Sequence, residues 1–235
     1  TLYGVELDRM SAKIAGYLYP EANIQNIGFE RTNYPDGYFD VAIGNVPFGD
    51  YRVNDSVYNS HGFLIHDYFF AKTLDKLRAG GVAAYITTKG TMDKESTKVR
   101  EFLFKKAELL GAIRLPNTAF KNAGTKVTAD ILFLQKREKE IENPEWIAVT
   151  DDAQGFRINS YFVQHPEMIL GTMQEISGPY GMETTCVEKE GVPLGERLRA
   201  AISHITGHIP ERVEEERAEF RYTGRKKGRY HSVPD

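Results

Sequence analysis

Up to Arg137 the apolar positions fall into short blocks set apart by polar or glycine-containing stretches, and several of these stretches carry a helical period of their own. Residues 2–8 read as a short buried strand ending in acids. A helix over 9–19 follows, with Met10, Ile14, Ala15 and Leu18 on its apolar side and Pro20 closing it. Residues 23–27 form a second strand, 31–37 a polar loop, and 39–44 a third strand of Val, Ile and Phe. The pattern then predicts a helix over 63–77 with Gly80 and Gly81 as its stop, a buried strand over 82–87, a helix over 94–106, and strands over 109–115 and 130–135. Strands spaced this way are joined by βαβ crossovers, which makes the chain α/β with a mostly parallel sheet and helices on both faces.

Past Arg137 the pattern changes. Residues 138–144 are a charged connector, 146–149 a short strand, 159–175 a mixed apolar segment and 177–181 a turn. Residues 194–205 read as a helix with Leu198, Ile202 and Ile205 on one face. The organisation expected is a core over 1–137, a connector or reduced target-reading region over 138–220, and a tail over 221–235. In that tail Arg221, Tyr222, Arg225, Lys226, Lys227, Arg229 and Tyr230 interleave cations with aromatics. Such a mix pairs phosphate contacts with base stacking, and it also suits a solvated linker neutralised by the acidic stretch 211–219.

Composition narrows the possibilities. With 235 residues, 41% of them hydrophobic, the chain can bury one good core with room for a smaller second unit. No apolar run approaches the roughly 18 residues that span a bilayer, and residues 1–5 have neither the basic start nor the length of a signal peptide, so a cytoplasmic protein is expected. The single cysteine, Cys186, excludes an internal disulfide framework and a cysteine-cluster zinc site. His61 and His66 are five apart and lack the four-residue spacing of a helical zinc pair, so no metal is expected. A net charge of −3 argues against a general nucleic-acid coat, and DNA affinity has to come from local patches.

The most informative feature closes the third strand: Asn45, Val46, Pro47 and Phe48. A strand that ends on glycine, a polar amide, a proline and an aromatic is how an open α/β sheet presents chemistry at its carboxyl edge. The loop resembles the Asn-Pro-Pro-Tyr/Phe loop of S-adenosylmethionine-dependent adenine-N6 DNA methyltransferases, with Val46 standing where the family has its first proline. An adenine amine is a poor nucleophile because its lone pair is delocalised into the ring. Acceptors aimed at its two hydrogens favour the pyramidal form that can attack a methyl sulfonium. The resemblance implies that the Asn45 amide and the Val46 carbonyl accept those hydrogens, that Pro47 shapes the loop, and that Phe48 stacks on the extruded base.

The resemblance runs from Tyr3 to Lys136 and implies further roles. Glu6 holds the place of the acid that binds the cofactor ribose, the alternative being an acidic helix cap, for Asp8 especially. Phe29 and Glu30 hold the place of the pair around the cofactor adenine, or form an ordinary surface loop. Lys89, in the segment 86–90, matches the strand end that lines the target-base pocket, or belongs to a plain βα loop. Phe120, in the strand-loop-strand similar to that of type I modification subunits, packs near the flipped base or buries itself beside the sheet. The strings 45–51 and 61–69 look like the methyltransferase region of very large mobile-element and phage proteins, in which a helicase-like region often follows.

In this family a first strand and its glycine-rich turn precede the ribose motif and lie centrally in the sheet. The expectation is therefore a Rossmann-like sheet, mostly parallel with an antiparallel late strand, that has a gap where the first strand belongs, followed by a small α+β C-terminal region, in residues belonging to a longer polypeptide. The function implied is methyl transfer from S-adenosylmethionine to the N6 amine of adenine in DNA. The alternatives are a non-catalytic DNA-binding module and methylation of another planar amine on guanine, RNA or a protein glutamine.

Overall fold

The structure is a computed structural model and describes residues 1–178 and 181–211. The acidic stretch beyond Glu211 and the basic aromatic tail lie outside the described residues, as does part of the turn at 177–181.

The chain opens with β1 (Tyr3–Val5), α1 (Arg9–Leu18) and β2 (Asn23–Gln25), and the two strands pair in parallel as a sheet of their own. Asp8 caps the helix, accepting a hydrogen bond from the Ser11 N–H at 2.7 Å, which satisfies one of the donors a helix start leaves open. The main sheet has the order β3-β4-β6-β5, formed by β3 (Phe39–Asn45), β4 (Leu77–Thr88), β5 (Ala107–Leu115) and β6 (Ala129–Lys136). β3 and β4 run parallel around α2 (Ile65–Lys76), and β6 is antiparallel to both β4 and β5. This is a mixed α/β fold with a central mixed sheet: β3, β4 and β5 share one direction, as the spacing of the blocks predicts, and β6 is the antiparallel late strand. Between the two sheet fragments, β1 and β3 share no ladder among the described residues, which is the gap expected there.

Two local expectations need correction. Gly80 and Gly81 do not stop a helix: α2 ends at Lys76 and β4 already begins at Leu77. The glycines form an irregular stretch, where the register moves from Phe39 opposite Leu77 to Val41 opposite Val82. Gly80 has φ +74°, and a Cβ on Gly81 would lie 3.0 Å from the carbonyl oxygens of Arg78 and Asp40, so the bulge demands glycine at both positions. The helix expected over 94–106 begins only at Lys98, as α4 (Lys98–Lys106), and a separate short α3 (Gly90–Asp93) precedes it.

Beyond the charged connector, β7 (Val149–Asp151) and β8 (Arg157–Asn159) make a small antiparallel pair leading into α5 (Ser160–Gln164). The strand expected over 146–149 starts only at Val149, because Trp146 has φ +62° and cannot join a ladder. β9 (Gly171–Gly178) and β10 (Gly181–Glu188) form a hairpin, and α6 (Leu194–Ile202) follows, ending short of the expected 205. An apolar core joins the main sheet to the C-terminal segment: Phe70, Leu74, Leu103, Ile113 and Leu132 pack in the same cluster as Ile158, Phe162, Met168 and Cys186. Among the described residues no helix is long and apolar enough to cross a membrane.

Candidate active site

β3 delivers Asn45 to the carboxyl edge of the sheet, opposite Ile86 of β4. The next residue turns inward. Val46 is buried, and its N–H donates to the Ile86 carbonyl at 3.1 Å, so the ladder continues one step past the strand. The Asn45 side chain is exposed, and among the described residues nothing bonds its amide or the Val46 carbonyl. Phe48 stands 37% exposed, so two uncommitted acceptors and an accessible ring lie within four residues at the end of β3. A cleft of about 380 Å³ runs beside the loop, lined by Asn45, Val46, Gly4, Val5, Phe29 and Phe69 among others.

Buried polar groups hold this edge from beneath. Asp67, on the first turn of α2, takes the Lys94 ammonium at 3.2 Å and the Thr91 hydroxyl at 3.5 Å, while Thr91 also bonds Thr87 at the end of β4. His66 is buried beside them, 3.5 Å from Asp67 and 3.4 Å from Lys94. Burial pushes the imidazole below its ordinary value; Asp67 opposes that and Lys94 adds to it. The loop that follows Phe48 is pinned by Asp55, which accepts from the Tyr68 hydroxyl at 2.8 Å and the Lys72 ammonium at 3.0 Å, and Tyr51 accepts the first N–H of α2. Under β5 and β6, Arg114 makes a bidentate pair with Asp130 at 2.9 Å and reaches Asp93 at 2.8 Å. Burial works against charge on Arg114, but the two carboxylates outweigh it and raise its pKa; burial raises Asp130, with Arg114 opposing.

The structure brings some of the expected residues together and leaves others apart. Asn45, Val46 and Phe29 line one cleft, and Glu6 follows Val5 of the same lining. The Glu6 carboxylate accepts the Asp8 N–H at 2.8 Å, and the Asn26 amide bridges the Glu6 and Leu7 carbonyls, which fixes the turn between β1 and α1. Phe29 packs on Phe69 at 4.9 Å with the Lys72 ammonium over its face. The Glu30 carboxylate turns back along its own loop to Arg31, 3.6 Å away, and does not line the cleft. Lys89 donates to the Thr184 carbonyl of β10, so it ties the hairpin to the sheet; burial lowers its ammonium from the ordinary value. Phe120 is half-buried and packs against the main core. Sequence reading missed Asp55, Lys72, Asp67 and Lys94, which are 17 and 27 residues apart in their pairs. No local motif marks such pairs. The only signal was an acid and a lysine among the apolar residues of a helix that the core surrounds.

The sequence matches the N-6 DNA Methylase family over residues 2–182, and the chain belongs to that family. It is 33% identical over 142 residues to Defense against restriction protein B of Escherichia phage P1, a stretch that covers 58% of this chain and 6% of that protein. Among solved structures, it superposes with TM-score 0.49 on a class I S-adenosylmethionine-dependent methyltransferase of Listeria monocytogenes, at 21% identity, covering 62% of this chain and 47% of the other. The modification subunit of a type I restriction enzyme from Vibrio vulnificus gives the same score at 20% identity, covering 61% and 33%.

Proposed function

We propose that this chain carries the target-amine site of an S-adenosylmethionine-dependent methyltransferase that modifies the N6 amine of adenine extruded from DNA. The observation that carries the reading is the edge itself: the exposed Asn45 amide that ends β3, the unbonded Val46 carbonyl after it and, two residues on, the accessible Phe48 ring. Asn45 Oδ1 and the Val46 carbonyl oxygen accept the two N6 hydrogens, which draws the nitrogen towards the pyramidal, nucleophilic form. Phe48 stacks on the purine and offsets part of the cost of unstacking it from the duplex. Neither acceptor removes a proton in the bond-forming step; the proton of the alkylated amine passes to water.

The residues present fit the cofactor. Its sulfonium supplies the electrophilic methyl group. Glu6 would accept ribose hydroxyls at the end of β1, and Phe29 offers an apolar face to the adenine in the cleft that Asn45 also lines. In the same reading DNA is the macromolecular partner, and a helicase-like region lies on the same longer polypeptide. Family membership supports the chemistry, and the kinship with a phage protein named for defence against restriction supports DNA as the partner.

The test is transfer of labelled methyl from S-adenosylmethionine to unmodified duplex DNA, run with this chain, with a longer natural polypeptide that contains it, and with the Asn45→Ala variant of each. Label on adenine N6 that falls by about 100-fold or more in Asn45→Ala, with cofactor binding unchanged, is the expected result. Turnover retained in Asn45→Ala would remove the role assigned to the amide. DNA binding with no label from any version would favour a non-catalytic module.

A further inference from the structure

The cations of the main sheet are treated differently at its two edges. At the amino edge, where β4 starts and β6 ends, they mostly face acids: Lys76 meets Asp36 and Arg78 meets Asp40, each at 2.6 Å, and Lys106 meets Asp75 at 2.8 Å. At the carboxyl edge Lys94 and Arg157 are paired as well, with Asp67 and Glu95. Arg52, in the loop after β3, and Lys121 and Lys126, in the loop after β5, are exposed and have no ion-pair partner among the described residues. Three open charges therefore stand on the edge that presents Asn45.

The loop after β5 is built to hold its lysines outward. Its ends are tied together, Val127 donating to the Asn117 carbonyl at 3.2 Å. Its neck is tied to β10, where the Asn117 N–H donates to the Cys186 carbonyl at 2.7 Å and the Thr128 hydroxyl oxygen accepts the Cys186 N–H at 2.9 Å. Between these bonds residues 121–126 are all exposed, and Gly124 turns the chain at φ +76° with nothing within 4 Å of where its Cβ would be. Residues 116–128 contain two lysines and no acid. Glu188, which touches the loop, accepts from the Thr118 hydroxyl at 2.7 Å and faces Arg197 at 3.9 Å. In the order β3-β4-β6-β5 the ends of β3 and β5 lie three strand spacings apart, about 14 Å. That is comparable with the roughly 12 Å width of the major groove of DNA.

We propose that Lys121 and Lys126, together with Arg52 beside the target loop, hold backbone phosphates of the DNA duplex whose adenine enters the site at Asn45. An ammonium without a carboxylate partner gives up only water and counterions when it takes a phosphate, whereas the amino-edge cations would first have to leave their acids. A loop bonded at its neck loses little freedom on binding. Contacts of this kind set the register of the duplex and carry no sequence information. They also give a chain of net charge −3 its local grip on a polyanion. The inference rests on the proposed function only in taking DNA as the partner.

The test is binding of a fluorescent duplex by the natural polypeptide that contains this chain, followed by anisotropy from about 50 to 200 mM salt, with methyl transfer to the same duplex measured alongside. Lys121→Ala/Lys126→Ala should reduce the slope of log K against log salt by about 2, and Arg52→Ala by about 1, for duplexes of any sequence. Lys105→Ala/Lys139→Ala removes the same charge from the amino edge and should change the slope by less than about 0.5. An unchanged slope in Lys121→Ala/Lys126→Ala, or an equal reduction in Lys105→Ala/Lys139→Ala, would overturn the proposal. The two readouts separate it from the catalytic reading. The expected slopes without label on adenine would support the phosphate contacts and remove the chemistry, while label on adenine with unchanged slopes would do the reverse. A wild-type polypeptide that binds no duplex would overturn both.

Discussion

Val46 shows how one side chain can depart from a family pattern for a reason visible in the fold. The resemblance puts proline there, and proline would hold the loop stiff, but in this chain the Val46 N–H donates to the Ile86 carbonyl while the side chain packs in the main core. Proline has no N–H to give and its ring would crowd the ladder. Val46→Pro, which brings the loop closer to the family sequence, should therefore destabilise this protein by about 1–3 kcal/mol, read from the midpoint of a urea melt at unchanged slope. A neutral or stabilising result would mean that the bond to Ile86 contributes nothing. What the position must keep for the proposed chemistry is its carbonyl, and valine keeps it.

At the scale of elements, the loop between β3 and α2 owes its shape to a buried ion pair more than to its own sequence. Asp55 and Lys72 have side chains only 10% and 5% exposed, and Tyr68 adds a hydroxyl to the same carboxylate oxygen. Burial raises the Asp55 carboxyl, but the bonds from Tyr68 and Lys72 outweigh it and hold it below the usual carboxylate value. Asp55→Asn would leave Lys72 charged and buried without its partner, and should cost about 3–5 kcal/mol. The sign of the pH effect follows from the lowered value. The stabilisation is complete above the unfolded carboxyl's ordinary pKa of about 4 and fades as the pH falls through the lower folded one, so acid should narrow the gap between wild type and variant. A gap that stays constant from neutral pH to about pH 2 in chemical denaturation would contradict it. The sequence showed the strands and helices here because their apolar spacing is local. It did not show the pair, since the register that brings residue 55 to residue 72 is set only when α2 docks on the sheet. The glycines of β4 were misread for the same reason: a helix stop and a bulge make the same local demand for glycine, and only pairing with β3 separates them.

For the whole molecule, the informative boundary is the one the charge pattern draws after Arg137. Residues 138–144 look like a linker on composition, but Arg137 donates to the Lys106 carbonyl, Ile141 to that of Lys105, and Arg100, fully buried on α4, reaches across to the Ile147 carbonyl. Beyond them Ile158, Tyr161, Phe162, Met168, Leu170 and Cys186 complete the core that Leu103, Ile113 and Leu132 begin, and the β9–β10 hairpin is bonded to the sheet through Thr128, Asn117 and Lys89. Burying a large apolar side chain is worth about 1.5–3 kcal/mol, so losing this set together is comparable with the whole stability of an ordinary domain. The family match, which continues to residue 182, is consistent with one unit extending past the charged stretch. A fragment ending at Arg137 should therefore show no cooperative thermal transition by circular dichroism, whereas residues 1–211 should melt in a single step. If the shorter fragment melts cooperatively at the temperature of the longer one, the C-terminal segment is an appendage rather than half of the core. Hydropathy could not distinguish these two cases, because the apolar residues beyond the boundary fall in short runs such as 161–163 and 168–170 and acquire a common face only when they close over β5 and β6.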